Sequence, residues 1–259
     1  MKGIEPYKAI NFTPSTPDTL TRAGYFCVIR LDKYFWKMNI KIIVSILAVF
    51  IGQHLMADNI QSIDPSEILY TTPSIPNELP PLSEFGGNKD TKIFPIHEDD
   101  WSQIEFINHT QLNEMQNVMV EYSAFEEKNR RKVGWQNVYV RRFPHAPLFK
   151  GLNAKKKLFT ILSAPEGPPP IVHSFSEING LVTNGFTIVL GKDVTLYGYT
   201  KGMNLQALGA SLGENPDNQS LVAAFALLNK KYGLVLVDWR SQFILTGVDS
   251  AGQIQIWRP

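Results

Sequence analysis

Three stretches of this 259-residue chain carry side chains of the right type, closely enough spaced, to do chemistry. The first is GASLG at residues 209–213, which has the G-x-S-x-G spacing of a serine nucleophile held on a sharp strand-to-helix turn. That turn needs a strand-like run before Ser211 and a histidine after it. The preceding MNLQAL has no β-branched run, Leu205, Leu208 and Leu212 fit a short helix, and every histidine precedes Ser211. A glycine-rich helix end is therefore expected, with no catalytic role for Ser211.

The second stretch is HEDDW at residues 97–101, an imidazole followed by three carboxylates. Such a group can ligate a metal or perform acid–base work. On an extended backbone successive side chains alternate between faces, so at most two of the four converge. A site would need a distant ligand, and spacing alone does not choose among His109, His145 and His173. Metal-assisted hydrolysis by His97, Asp99 and Asp100 is thus the alternative function. No cofactor or metal-ligand pattern is otherwise present, and a solvated acidic turn leading into a strand is the expected reading.

The third stretch is basic. Residues 128–165 hold ten Lys and Arg and no acid, whereas residues 58–127 hold fourteen acids and two Lys. Arg130, Arg131 and Lys132 fall at a helix end, where cations suit the dipole. Arg141 and Arg142 follow a strand, and Lys155, Lys156 and Lys157 form a compact run. Together with Trp135 on one face, these residues would dock an anionic envelope component or an acidic protein. Pairing between the two oppositely charged segments satisfies the same pattern.

The compartment follows from MNIKIIVSILAVFIGQHLMADN, which begins at Met38. Lys41 precedes an apolar run from Ile42 to Ile51, broken by Gly52, Gln53 and His54 ahead of Ala57. The run is about half of the roughly 20 apolar residues that cross a bilayer, so it reads as a signal peptide over 38–57, cleaved after Ala57. Leu55 is larger than the residue usually found three before a cleavage site, and an uncleaved anchor extending through Met56 is the alternative. Residues 1–37, rich in Thr and Pro at NFTPSTPDTLTRAG, are expected to be an upstream extension outside the fold.

Trimming has chemical consequences. Residues 1–57 carry seven Lys and Arg against three acids, so their loss turns the formal charge of +1 into about −3. A net negative, exported protein is a poor partner for nucleic acid. The single cysteine, Cys27, leaves with the leader, which removes disulfides, a thiol nucleophile and a cysteine zinc site from the mature chain. The expected location is periplasmic or secreted, with no membrane span in the mature chain.

Elements must then position these groups. Residues 58–90, with Pro65, Pro73, Pro76, Pro80, Pro81 and a Gly86-Gly87 joint, read as a tether. Residues 91–164 read as a strand–helix–strand lobe: a strand from Trp101 to Ile107, a helix capped by Thr110 with Leu112, Met115, Met119 and Tyr122 on one face, and a strand from Trp135 to Arg142. Residues 171–259 read as a second lobe. Its elements are a hairpin turning at residues 191–193, a helix from Pro216 to the stop at Gly233, the strand LVLVDW, and a hairpin around residues 249–252.

The sum is an α+β fold with a largely antiparallel sheet and two main helices on one face, divided into two small lobes at the proline loop 165–170. The leading functional expectation is an exported, non-catalytic protein that binds an anionic or macromolecular partner. An inhibitor or immunity-type protein is a further alternative. NHT at Asn108 and NQS at Asn218 match glycosylation acceptors, which matter only in a eukaryotic secretory route.

Overall fold

A computed structural model describes residues 69–259 apart from 89, 152 and 176. The upstream extension, the signal segment and residues 58–68 of the expected tether lie outside the described residues. In chain order the elements begin with β1 (Ser74–Pro76), β2 (Leu82–Ser83), β3 (Phe94–His97), β4 (Ile104–Asn108), helix α1 (Leu112–Asn129), β5 (Tyr139–Arg141) and helix α2 (Ala154–Leu162). They continue with β6 (Pro170–Ser174), β7 (Glu177–Val182), β8 (Gly185–Gly191), β9 (Val194–Lys201) and β10 (Asn204–Leu212). Helix α3 (Asn218–Tyr232), β11 (Leu234–Asp238), β12 (Phe243–Val248) and β13 (Ile254–Trp257) complete the chain. This is an α+β fold.

The central sheet has seven strands in the order β13-β12-β11-β4-β10-β9-β8, every neighbouring pair antiparallel. Consecutive residues of β11 and, Glu105 apart, of β4 are apolar, so both faces of these middle strands must be covered. Leu234 and Leu236 of β11 pack with Leu221, Phe225 and Leu228 of α3 on one side. Val235 and Val237 pack with Met115, Met119 and Tyr122 of α1 on the other. Phe106 and Ile107 of β4, and Leu245 and Ile244 of β12, divide between the same two cores. Helices therefore cover both faces, not one as expected: α2 and α3 on the first and α1 on the second. Each fully buried Leu, Phe or Met contributes about 1.5–3 kcal/mol.

Helix termini follow local chemistry. Asn108, not Thr110, makes the cap: its Oδ1 accepts from the Thr110 amide at 3.0 Å and starts a single 3-10 turn that leads into α1. Asp217 caps α3 by accepting from the Gln219 amide, and Gly233 ends it with a φ of 63°.

Two expected boundaries do not hold. β4, from the segment before the proline loop, lies between β10 and β11 from the segment after it, so 91–164 and 171–259 share one sheet. The proline loop follows the edge of β8. The Pro165 carbonyl accepts from the Val189 amide, and the Thr187 hydroxyl donates to the Pro168 carbonyl at 2.6 Å. Nor are residues 69–88 a free tether. β1 pairs in parallel with β5, β2 pairs with β7, and Ser74 is fully buried. Proline lacks an amide donor but keeps its carbonyl acceptor, which suffices for short edge pairings.

A second sheet, β2-β7-β6-β3, packs Ile96, Val172 and Val182 against Trp101 and Tyr197. It covers the α1 side of the central sheet at the β9 end, while α1 covers the β11 end. A gap is left between them.

One buried group on that side lacks a partner. The Tyr122 hydroxyl, beside the Ser74 side chain, makes no well-formed hydrogen bond, and burial pushes its ionisation well above the ordinary tyrosine value. Tyr122→Phe should leave stability in urea unchanged or raise it by up to about 1 kcal/mol, since no bond is lost and a desolvated hydroxyl is removed. It should also lessen alkaline unfolding. A tyrosine held protonated in the fold keeps its stability below pH 10 and loses it progressively above, as the unfolded chain ionises first. A drop of more than about 1 kcal/mol on Tyr122→Phe would show that the hydroxyl is bonded.

Candidate functional site: a cleft over β4

The gap between α1 and the small sheet is a cleft of about 400 Å³. This is within the usual range for a small-ligand site. Its floor is β4 and β10, with Glu105 and Ala207 facing upward. Pro76, Leu79 and Pro80 form one wall, and Phe143, Pro144 and His145 form the other. Tyr199, Gln206, Arg142 and Glu78 complete the opening.

Local structure explains why these residues meet. Glu105 has the same parity on β4 as Ile107, so it faces the α1 side, opposite Gly209 on β10 and Val237 on β11. Gly209 is required there because the Tyr197 ring lies across it: a Cβ at 209 would fall 2.6 Å from that ring. Gln206 occupies a β-bulge between Leu205 and Ala207. The extra residue puts Leu205 and Leu208 on the same face at a spacing of three, which imitates a helix. The GASLG stretch is consequently a strand end, not a helix end, and Ser211 pairs with Thr195 within the β9–β10 ladder.

The floor is electrostatically unusual. The Glu105 side chain is only 6% exposed. Its Oε1 accepts from the Trp239 indole N–H at 2.8 Å, while Oε2 lies 3.7 Å from His145 Nδ1 and makes no hydrogen bond. Beneath it is Arg141, 4% exposed. Arg141 donates to the Ser74 hydroxyl at 3.2 Å, to Gln103 Oε1 at 3.0 Å and to the Trp101 carbonyl at 3.1 Å, and its guanidinium stacks 5.1 Å from the Trp239 ring centre. Burial lowers the Arg141 ionisation to about 10, with the Glu105 charge acting in the opposite direction. Among the described residues no Lys or Arg lies within ion-pair distance of Glu105; His145 is the one basic group that does.

No known protein family, curated protein or solved structure matches this chain. The site is therefore read from its own geometry.

The expected basic face is not assembled. Arg141 is interior, while Arg142, the next residue, is exposed on the cleft. Lys155 lies on α2, on the opposite side of the sheet, where it pairs with Glu166 at 2.6 Å and sits over the Phe159 and Phe186 rings. Lys156 and Lys157 project from the same helix into solvent. Trp135 precedes β5, bridging to Tyr70 and donating its indole N–H to Glu126 at 3.3 Å.

The acidic stretch is occupied by structure. Asp100 pairs with Arg240, and His97 Nδ1 accepts from the Asp99 amide to cap a 3-10 turn. The parallel register of β3 and β6 does select one of the distant histidines, bringing His173 to 5.3 Å from His97, ring centre to ring centre. Among the described residues, no three His, Asp, Glu or Cys side chains converge as a metal site would need. No described helix is long and apolar enough to cross a membrane.

Glu105 and Trp239 were missed as site residues, and His145 entered only as a distant ligand. One signal was present: Glu105 stands in IEFI, a carboxylate inside a run that must be buried on both faces.

Proposed function

We propose that this chain is an exported, periplasmic binding protein without catalytic activity, and that it holds its ligand or partner group in the cleft over β4. The observation that carries this reading is the second oxygen of Glu105: an acceptor on a buried carboxylate beside the cleft that receives no hydrogen bond, its nearest donor, His145 Nδ1, standing 3.7 Å away in ion-pair range. Buried charged groups are ordinarily paired, so a partner from outside the chain is the simplest completion. Export is supported by the apolar segment after Lys41.

Two measurements test it. N-terminal sequencing of the protein recovered from the envelope should return Asp58 as the first residue. A small-molecule screen by nuclear magnetic resonance should find binders that shift the amides of Ala207 and Tyr199 in a saturable way. Ala207→Trp, which fills the cleft, should weaken any such binder at least about tenfold. Binding that survives Ala207→Trp unchanged would move the site elsewhere.

A second reading rests on the 3.7 Å approach of His145 to Glu105, the geometry from which a carboxylate-oriented general base is built. Ester or amide hydrolysis abolished by both His145→Ala and Glu105→Gln would favour it over simple binding.

A further inference from the structure

We infer that the group recognised in the cleft is a primary alkylammonium, as carried by an aliphatic amine or a lysine side chain. This rests on the cleft-binding reading above and names its ligand class. Glu105 supplies the head-group site. Its Oε1 is fixed by the Trp239 indole, so the carboxylate cannot rotate freely, and Oε2, beside the cleft, accepts no hydrogen bond and has only His145 Nδ1 at 3.7 Å.

Neither of the chain's own basic neighbours hydrogen-bonds to Oε2: His145 Nδ1 stands 3.7 Å from it, within ion-pair range when protonated but beyond hydrogen-bond distance. Arg141 spends its N–H groups on Ser74, Gln103 and the Trp101 carbonyl and makes no ion pair with Glu105. A carboxylate 94% removed from solvent, bonded to one neutral indole, is the acceptor half of a charge-assisted hydrogen bond. An ammonium donates three such bonds from a compact charge and fits a single oxygen, whereas a guanidinium is matched to two parallel acceptors. The walls suit an alkyl stem: Pro76, Leu79 and Pro80 on one side, Phe143 and Tyr199 on the other. At the opening the negative charge of Glu78, close enough to help raise the Tyr199 ionisation after burial has done so, is balanced by the exposed Arg142, so the preference for a cation rests on Glu105.

The test uses four probes: the five-carbon pentylamine, pentanol and pentanoate, and N-acetyl-lysine methylamide. Binding is followed through the Trp239 indole N–H resonance, assigned by its loss in Trp239→Phe. Pentylamine should shift that resonance saturably and bind at least about tenfold more tightly than pentanol, and Glu105→Gln should remove the preference. Binding of the lysine derivative as well places the natural source on a peptide; binding of pentylamine alone places it on a free amine. Both outcomes uphold the ammonium class.

Saturable binding of pentanoate but not pentylamine would overturn the ammonium assignment and leave cleft binding standing. An amine preference unchanged in Glu105→Gln would overturn it too. Failure of all four probes to move Ala207, Tyr199 or Trp239 would overturn both readings. The comparison of amine with alcohol on the unmodified protein needs no variant to fold.

Discussion

Arg141→Ala should destabilise the fold by about 3–5 kcal/mol in urea unfolding. The guanidinium joins four parts of the chain: Ser74 in β1, Trp101 and Gln103 just before β4, its own strand β5, and Trp239 just after β11. Truncation leaves the Gln103 side-chain oxygen and the Trp101 carbonyl without donors beneath the cleft floor, and it opens a cavity against the Trp239 ring. Each orphaned acceptor costs about 1–3 kcal/mol. Total stabilities of single domains are about 5–15 kcal/mol, so this loss is a large share of the whole. Arg141→Lys should recover less than half of it. A lysine ammonium cannot span three acceptors set in the plane of a fork, nor stack on an indole. Were Arg141 a docking residue on an open surface, both changes would fall within about 0.5 kcal/mol of the parent, and that result would remove the network described here.

Gly198→Ala should be at least as damaging as Arg141→Lys, at about 3 kcal/mol, though nothing polar is lost. A Cβ at 198 would stand 2.1 Å from the Ala207 carbonyl oxygen and 3.2 Å from the Leu208 Cα. These are backbone atoms of the partner strand, fixed by the β9–β10 ladder at its bulge, so no side chain can swing aside. Gly209→Ala meets the Tyr197 ring instead, and that ring is anchored because its hydroxyl accepts from the Ser102 amide at 2.9 Å. About 2 kcal/mol is expected there. Gly86→Ala, with nothing within 4 Å of the added carbon, is the control and should change stability by less than about 0.5 kcal/mol. Thermal and urea midpoints of the three variants measure the order directly. A Gly198→Ala protein as stable as Gly86→Ala would mean that β9 and β10 are not in this register.

These cases mark where the sequence was readable. α3 could be placed because its signals are local: Pro216 ahead of it, Asp217 as cap, a four-residue apolar spacing and Gly233 as stop. The β8–β9 and β12–β13 hairpins and β11 were equally plain, being short apolar strands between turn residues. β10 was misread because a bulge gave its leucines the spacing of a helix. β1 and β2 were hidden among prolines, since their pairings use partners far along the chain. α2 was passed over as a run of charge, although Ala154 and Leu158 at a spacing of four give it a buried edge.

The site was less legible than the fold for the same reason. Composition assigned Arg141 to the basic surface, yet β1 and Trp239 bury it from two sides, and neither neighbour is local in sequence. Glu105 and His145 are 40 positions apart and face each other only because the wall at residues 143–145 folds back beside β4. Parity along a strand can place a carboxylate on a face. It cannot say that the facing segment will bring an imidazole, nor that an indole from after β11 will hold one of its oxygens.

The placement of β4 also sets the order of assembly. Phe106 pairs with Leu236, 130 positions later, so the middle of the sheet cannot close while the chain is being made until nearly all of it has emerged. Such distant pairings carry a large loop-closure cost and slow the final collapse. Were the chain exported as proposed, that delay would be useful: an unfinished chain has no closed core to resist unravelling, and folding would be deferred to the far side.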